Sequence, residues 1–218
     1  MLKQDELITS SALQDRRSEP REATVFRPVL IDAEGFASFC LVRNLSPTGM
    51  RAKVYSAFAI DTALVIQFSE SELIAGTLIW QKDDHIGVGF EQPIDVSDVL
   101  AAISRKGARG KLNRALRLSI DCKGELELGG RTLSIEVLDI SQRGLKIRTS
   151  FLRPGDEVSV RLASLDQRKA IVRWTQPGSA GLNFVRPLSF DELGQWVVSQ
   201  QMGGDRHDAL QAGDIRCW

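Results

Sequence analysis

Two clusters in this chain have residue types and spacings suited to holding a ligand. The first is "DRRSEPRE" (15–22), where Arg17 and Arg21 stand four apart with Arg16 alongside. The second is the polar turn "NLSPTG", which sets Asn44, Ser46 and Gly49 between two apolar stretches. A nearly identical turn, "DISQRG", returns about ninety-five residues later with Asp139, Ser141 and Gly144. Taken alone, an Arg pair reads as a solvated basic segment; joined to the turn, it reads as half of a grip. These residues bind rather than react. The chain has two His, His85 and His207, and no GxSxG elbow, P-loop, HExxH or Cys/His pair. "DDH" (83–85) carries metal-ligand types, but neighbours on an extended segment alternate faces and cannot converge on one ion. A hairpin turn is expected there, with no metal, no cofactor and no enzymatic activity.

The elements that must position these clusters come twice. Laid over the first half, the second half matches Trp80 with Trp174, Gly87 with Gly181, Phe90 with Phe184 and Pro93 with Pro187. Each copy reads mostly as strand. "VFRPVLI", "ASFCLVRN", "TALVIQF" and "HIGVGF" in the first, and "RLSIDC", "ELEL", "TLSIEV" and "EVSVRL" in the second, are separated by turn clusters such as "DAEG" and "GG". About six short strands per copy without a helical crossover favour a small antiparallel barrel or sandwich.

One helix closes each copy. Val96, Val99, Leu100 and Ile103 make one apolar face, with Asp95 and Asp98 as the cap and its acidic follower. Ser189 and Glu192 form a capping box ahead of Phe190, Leu193, Trp196 and Val197. Both helices are expected to lie across their barrels as lids on the core. The domain limits expected are 1–14 loose, 15–106 first domain, 107–112 basic linker, 113–202 second domain and 203–218 loose tail.

Of 218 residues, 43% are hydrophobic and 26% charged, as in a globular protein able to bury two modest cores. Lys+Arg and Asp+Glu balance at 28 each, which gives no reason to expect nucleic acid or a membrane surface as a bulk partner. Cys40, Cys122 and Cys217 are odd in number and lack CxxC spacing, so a reducing cytosol fits better than a disulfide framework. The opening "MLKQDELITSSALQDRR" has no signal-like apolar core, and no run approaches the roughly 18 apolar residues of a membrane span. A cytoplasmic protein is expected.

"RRSEPR" followed by "NLSPTG" resembles the RxxxR and (D/N)xSxxG signatures of PilZ domains, bacterial receptors for cyclic di-GMP. "HIGVGF" and "AGLNF", each followed by a helix, are similar to that family's last strand and C-terminal helix. The resemblance implies a mainly β fold: two tandem antiparallel barrels of the PilZ kind, each followed by an α-helix. It also implies cyclic di-GMP as the ligand of Arg16, Arg17, Arg21, Asn44, Ser46 and Gly49. Guanidinium forks suit both phosphate oxygens and the guanine edge, and their planes stack on bases. Asn44 would meet the Watson–Crick edge, Ser46 would offer a hydroxyl to phosphate or backbone, and Gly49 would permit a positive φ or a close approach of ligand to main chain. In the family, an Arg before RxxxR goes with capture of two stacked ligand molecules, and Arg16 implies that stoichiometry here.

"QDRRSEPRE" has almost nothing apolar to bury, so nucleotide binding is expected to order this arm and change the surface offered to a protein partner. The second copy keeps Asp139, Ser141 and Gly144, but Asn113 stands where the first Arg belongs if Arg117 takes the second position; Arg114 is out of frame. A structural or partner-binding role is expected there, with a weakened or rearranged site as the alternative. "SRKGARGKLNRALR" (104–117) reads as a solvated basic linker, or as added positive potential for nucleotide or an acidic partner. It offers no aromatic platform for nucleic acid. Two functions therefore stand: a cyclic di-GMP receptor acting through protein contacts, and a nucleotide-independent adaptor for a motility, secretion or polysaccharide machine.

Overall fold

The computed structural model describes residues 26–69, 71–104 and 115–211. Arg16, Arg17 and Arg21, the loose start 1–14 and the linker 107–112 lie outside the described residues. The first unit runs β1 (Arg27–Ala33), β2 (Phe36–Ser46), β3 (Gly49–Lys53), β4 (Ala63–Ser69), β5 (Glu72–Lys82), β6 (His85–Phe90) and α1 (Val96–Ser104). The second repeats it as β7 (Leu118–Leu128), β8 (Arg131–Ser141), β9 (Gly144–Arg148), β10 (Glu157–Leu162), β11 (Leu165–Gln176), β12 (Ser179–Phe184) and α2 (Phe190–Gln211).

Each set of six strands closes into an antiparallel barrel, in the order β1-β2-β3-β6-β5-β4 and β10-β11-β12-β9-β8-β7. Closure leaves no exposed sheet edge. Alternation does the rest: Val29, Ile31, Cys40, Val42, Leu64, Ile66, Ile86 and Val88 point inward and are buried. The expected barrel-plus-helix architecture is the one observed. "RLSIDC" and "ELEL" are one strand, because a bulge between Ser119 and Cys122 absorbs an extra residue without ending the pairing and Gly124 lets Leu162 close in. The hairpin at Gly129–Gly130 has φ of 57° and 78°, the left-handed pair that a two-residue turn matching strand twist requires.

Both caps form as read. Asp95 Oδ1 accepts from the Asp98 amide at 3.0 Å. Ser189 and Glu192 bond reciprocally, at 2.8 and 3.2 Å. Val96 and Val99 of α1 enter the first core, and Leu193, Trp196 and Val197 of α2 the second. α2 does more than cover its own barrel, and it continues as helix to Gln211, past Met202 where the sequence suggested a loose tail. Phe190 meets Phe39 of β2 edge-on, with ring centroids 5.9 Å apart, and Leu30 and Phe39 are buried in the second core cluster. Gly194 makes room for the Tyr55 ring, since a Cβ there would lie 2.3 Å from it. Helix α2 therefore bridges the two barrels.

The polar part of this bridge is acid-sensitive. Asp191 Oδ1 accepts from Lys53 Nζ at 2.8 Å and from Tyr55 Oη at 2.6 Å. The hydrogen bond from Lys53, then that from Tyr55, holds the Asp191 carboxyl below its ordinary value. Burial, then the bond to Asp191, pushes the Tyr55 phenol up. A depressed carboxyl stabilises in its ionised form, so this contribution is present at neutral pH and fades as pH falls through the Asp range near about 4 and below. It is small, about 0–1 kcal/mol for an exposed pair. We expect the distance distribution between fluorophores on the two barrels to broaden in acid. Asp191→Asn should already show the broader distribution at neutral pH; an unchanged distribution in both cases would show that the apolar contacts alone set the bridge.

Candidate functional site

The "NLSPTG" turn closes the hairpin between β2 and β3. Ser46 pairs with Gly49, and the Ser46 hydroxyl donates to the Gly49 carbonyl at 3.1 Å. The turn is then tied to the end of the neighbouring strand β6 and the segment after it: the Phe90 amide donates to the Thr48 carbonyl and the Ile94 amide to that of Pro47, both at 2.9 Å. The second copy repeats each bond. Ser141 Oγ donates to the Gly144 carbonyl at 3.2 Å, the Phe184 amide to Arg143 and the Leu188 amide to Gln142. The Ser46 hydroxyl is thus engaged with the backbone of its own turn. The motif's serine staples a turn.

For Gly49 one of the two expected reasons is excluded. Its φ is not in the left-handed region, so a positive φ is not what the position demands. A Cβ there would stand 2.4 Å from the Val88 carbonyl oxygen of β6; at Gly144 it would stand 1.8 Å from that of Leu182. Both glycines let β3 and β6, or β9 and β12, approach.

Register then assembles a row that the sequence did not reveal. Asn44 pairs with Arg51, Arg51 with Gly87, and Gly87 with Trp80, across β2, β3, β6 and β5. Bulges between Val42 and Asn44, and between Leu78 and Trp80, turn the two end residues onto the barrel's outer face. Trp80 lies flat over Gly87, whose added Cβ would be 2.1 Å from the indole nitrogen; the indole remains 40% exposed. Asn44, Ser46, Gly49, Arg51, Ile79 and Trp80 line an open cleft of about 410 Å3. Among the described residues Arg51 has no acidic partner. Arg51 was missed, because a single Arg on a strand carries no signal until its neighbours are known. Trp80 was noticed only as a mark of the repeat.

The second barrel builds the same row as Asp139, Lys146, Gly181 and Trp174. Here the acid is already occupied: Arg117 Nη1 donates to Asp139 Oδ1 at 2.5 Å. So Arg117 and Asp139 come together, with Ser141 and Gly144 in the adjacent turn. Among the described residues no group of His, Cys, Asp and Glu could hold a metal, and no helix is long and apolar enough to cross a membrane.

The PilZ domain family model matches the chain twice, over residues 15–106 and 104–198. Solved structures similar to this chain include the Borreliella burgdorferi PlzA protein in complex with c-di-GMP, at 9% identity, covering 82% of this chain and 87% of that one, with TM-score 0.36. The Bacillus subtilis inhibitor of motility MotI/DgrA is 12% identical over 83% of this chain and 99% of that one, with TM-score 0.33. YcgR from Escherichia coli in complex with c-di-GMP is 12% identical over 88% and 89%, with TM-score 0.32. Among curated proteins none matches.

Proposed function

The chain belongs to the PilZ domain family, a tandem member, and from that premise we propose that it is a cytoplasmic receptor for cyclic di-GMP, binding through its first barrel. The observation that carries this reading is the cleft along Asn44, Arg51, Gly87 and Trp80, where a hydrogen-bonding amide, a cation and an exposed indole share one face. Each suits one part of the ligand. The Asn44 amide meets a guanine edge, the Arg51 guanidinium meets phosphate, and the outer indole face of Trp80 stacks on a base.

Arg16, Arg17 and Arg21 complete the grip. Arg27 pairs with Val42, two residues from Asn44, and β1 runs antiparallel to β2. The arm is therefore joined to the barrel beside the strand that leads into the turn. A chain extended from Arg27 to Arg21 spans about 20 Å, enough to reach the cleft. In the second barrel Arg117, just before β7, bonds Asp139, the counterpart of Asn44. Nucleotide draws the arm onto the cleft, and the covered mouth is the signal a protein partner reads. The second barrel, with Asp139 occupied by Arg117, is structural.

Titration calorimetry of the full chain with cyclic di-GMP tests this. Two nucleotides per chain are expected, both at the first barrel through Arg16. One per chain would remove the stacked pair, and no heat would remove the receptor. Trp80 should report occupancy as a change in fluorescence. Trp80→Ala is expected to weaken binding about 5- to 150-fold, the loss of one stacking contact; affinity within twofold of native would exclude stacking there.

A further inference from the structure

The first barrel's wall opposite β2 and β3 is apolar where its duplicate is not. Ala63, Val65 and Gln67 of β4, and Leu73, Ala75, Thr77 and Ile79 of β5, face outward, with Gln67 opposite Leu73; Val65, Leu73 and Ile79 are 45%, 61% and 55% exposed. The register pairs Ala63 with Thr77 and Val65 with Ala75. At the matching positions the second barrel carries Glu157, Ser159, Gln167, Lys169, Ile171 and Arg173, with Glu157 opposite Ile171 and Ser159 opposite Lys169. The same fold is built with a charged wall there, so folding does not require the apolar one. An exposed contiguous apolar face with no folding role marks an interaction site.

The rim identifies the partner's chemistry. Asp32 stands directly across from Val65, the Glu91 amide donates to the Ala75 carbonyl, and the Asp61 amide donates to the Leu78 carbonyl, so three exposed acids flank the face. β4 and β6 contain no Lys or Arg, and β5 has only Lys82, at its far end. Arg43 and Lys53 sit on β2 and β3, on the other side of the barrel, while Arg51 lines the cleft that borders the face at Ile79. We infer that the outer face of β4 and β5 docks an amphipathic, basic-flanked segment of a partner protein. A second copy of this chain fits poorly, since two such faces would oppose acid to acid. This inference does not rest on nucleotide binding.

The test uses the full chain and two synthetic helical peptides, one of Leu and Lys and one of Leu and Glu with the same pattern. The Leu/Lys peptide is expected to shift backbone amide resonances of β4 and β5, and the Leu/Glu peptide to leave them in place. Val65→Ser, Leu73→Gln and Ala75→Lys, combined, graft the second barrel's own residues and should weaken that binding at least about tenfold. The thermal transition of this variant should match the native one, as a check on folding. Equal binding of both peptides, shifts confined to other strands, an undiminished grafted variant, or a dimer that the graft dissolves would each overturn the proposal.

Discussion

The 218-residue chain carrying Arg17→Ala or Arg21→Ala should bind cyclic di-GMP about 10- to 150-fold more weakly than native, as read by titration calorimetry. The range is that of one charge-assisted hydrogen bond lost, roughly 1.5–3 kcal/mol. The second barrel offers no rescue in the proposed mechanism. Its turn acid is paired with Arg117, and Asn113 stands in place of the partner Arg. Residual binding should therefore come from the weakened first site alone, and both stacked nucleotides should be lost together. Affinity within a factor of two of native for both variants would reject the arm as part of the site. A variant that loses only one of the two nucleotides would move the other to the second barrel.

Gly49→Ala and Gly144→Ala form a pair with the same structural cause and different functional results. In each barrel the new methyl would press on a backbone carbonyl, 2.4 Å from Val88 or 1.8 Å from Leu182, and a carbonyl held in a ladder cannot swing aside. The strands must part, at a cost of about 1–3 kcal/mol for each barrel. For a unit of this size that lowers the melting temperature by about 4–8 °C per kcal/mol, measurable by calorimetry. Only Gly49→Ala should also weaken cyclic di-GMP, by about tenfold or more, because the β3–β6 pairing that it disturbs aligns Arg51 with Gly87 and Trp80. Gly144→Ala should leave affinity within twofold. Native stability in both variants would show that the strands yield more easily than the geometry implies. Lost affinity in Gly144→Ala would return the second barrel to the site.

Much of this architecture is legible along the chain because its causes are local. Alternating apolar residues, the Gly129–Gly130 hairpin, the Asp95 cap and the Ser189–Glu192 box depend on residues within a turn or a strand of one another. The repeat is legible too, since Trp80 and Trp174 each need a glycine on the neighbouring strand, and both glycines are kept. The site is only half legible. Asn44, Ser46 and Gly49 announce themselves as a turn, but the reason for Gly49 lies in a carbonyl of β6, and Arg51 joins the site through register alone.

The sequence by itself determined a duplicated β domain, the turn that each copy carries, and which copy retains the arginines. Tertiary structure decided which residues share the cleft with that turn, that α2 joins two barrels rather than covering one, and that a single wall of the first barrel is left apolar. The difference is physical. Turns and caps are set by neighbours in the chain, whereas bulges, pairing register and covered faces are set by strands that meet only when the barrel closes.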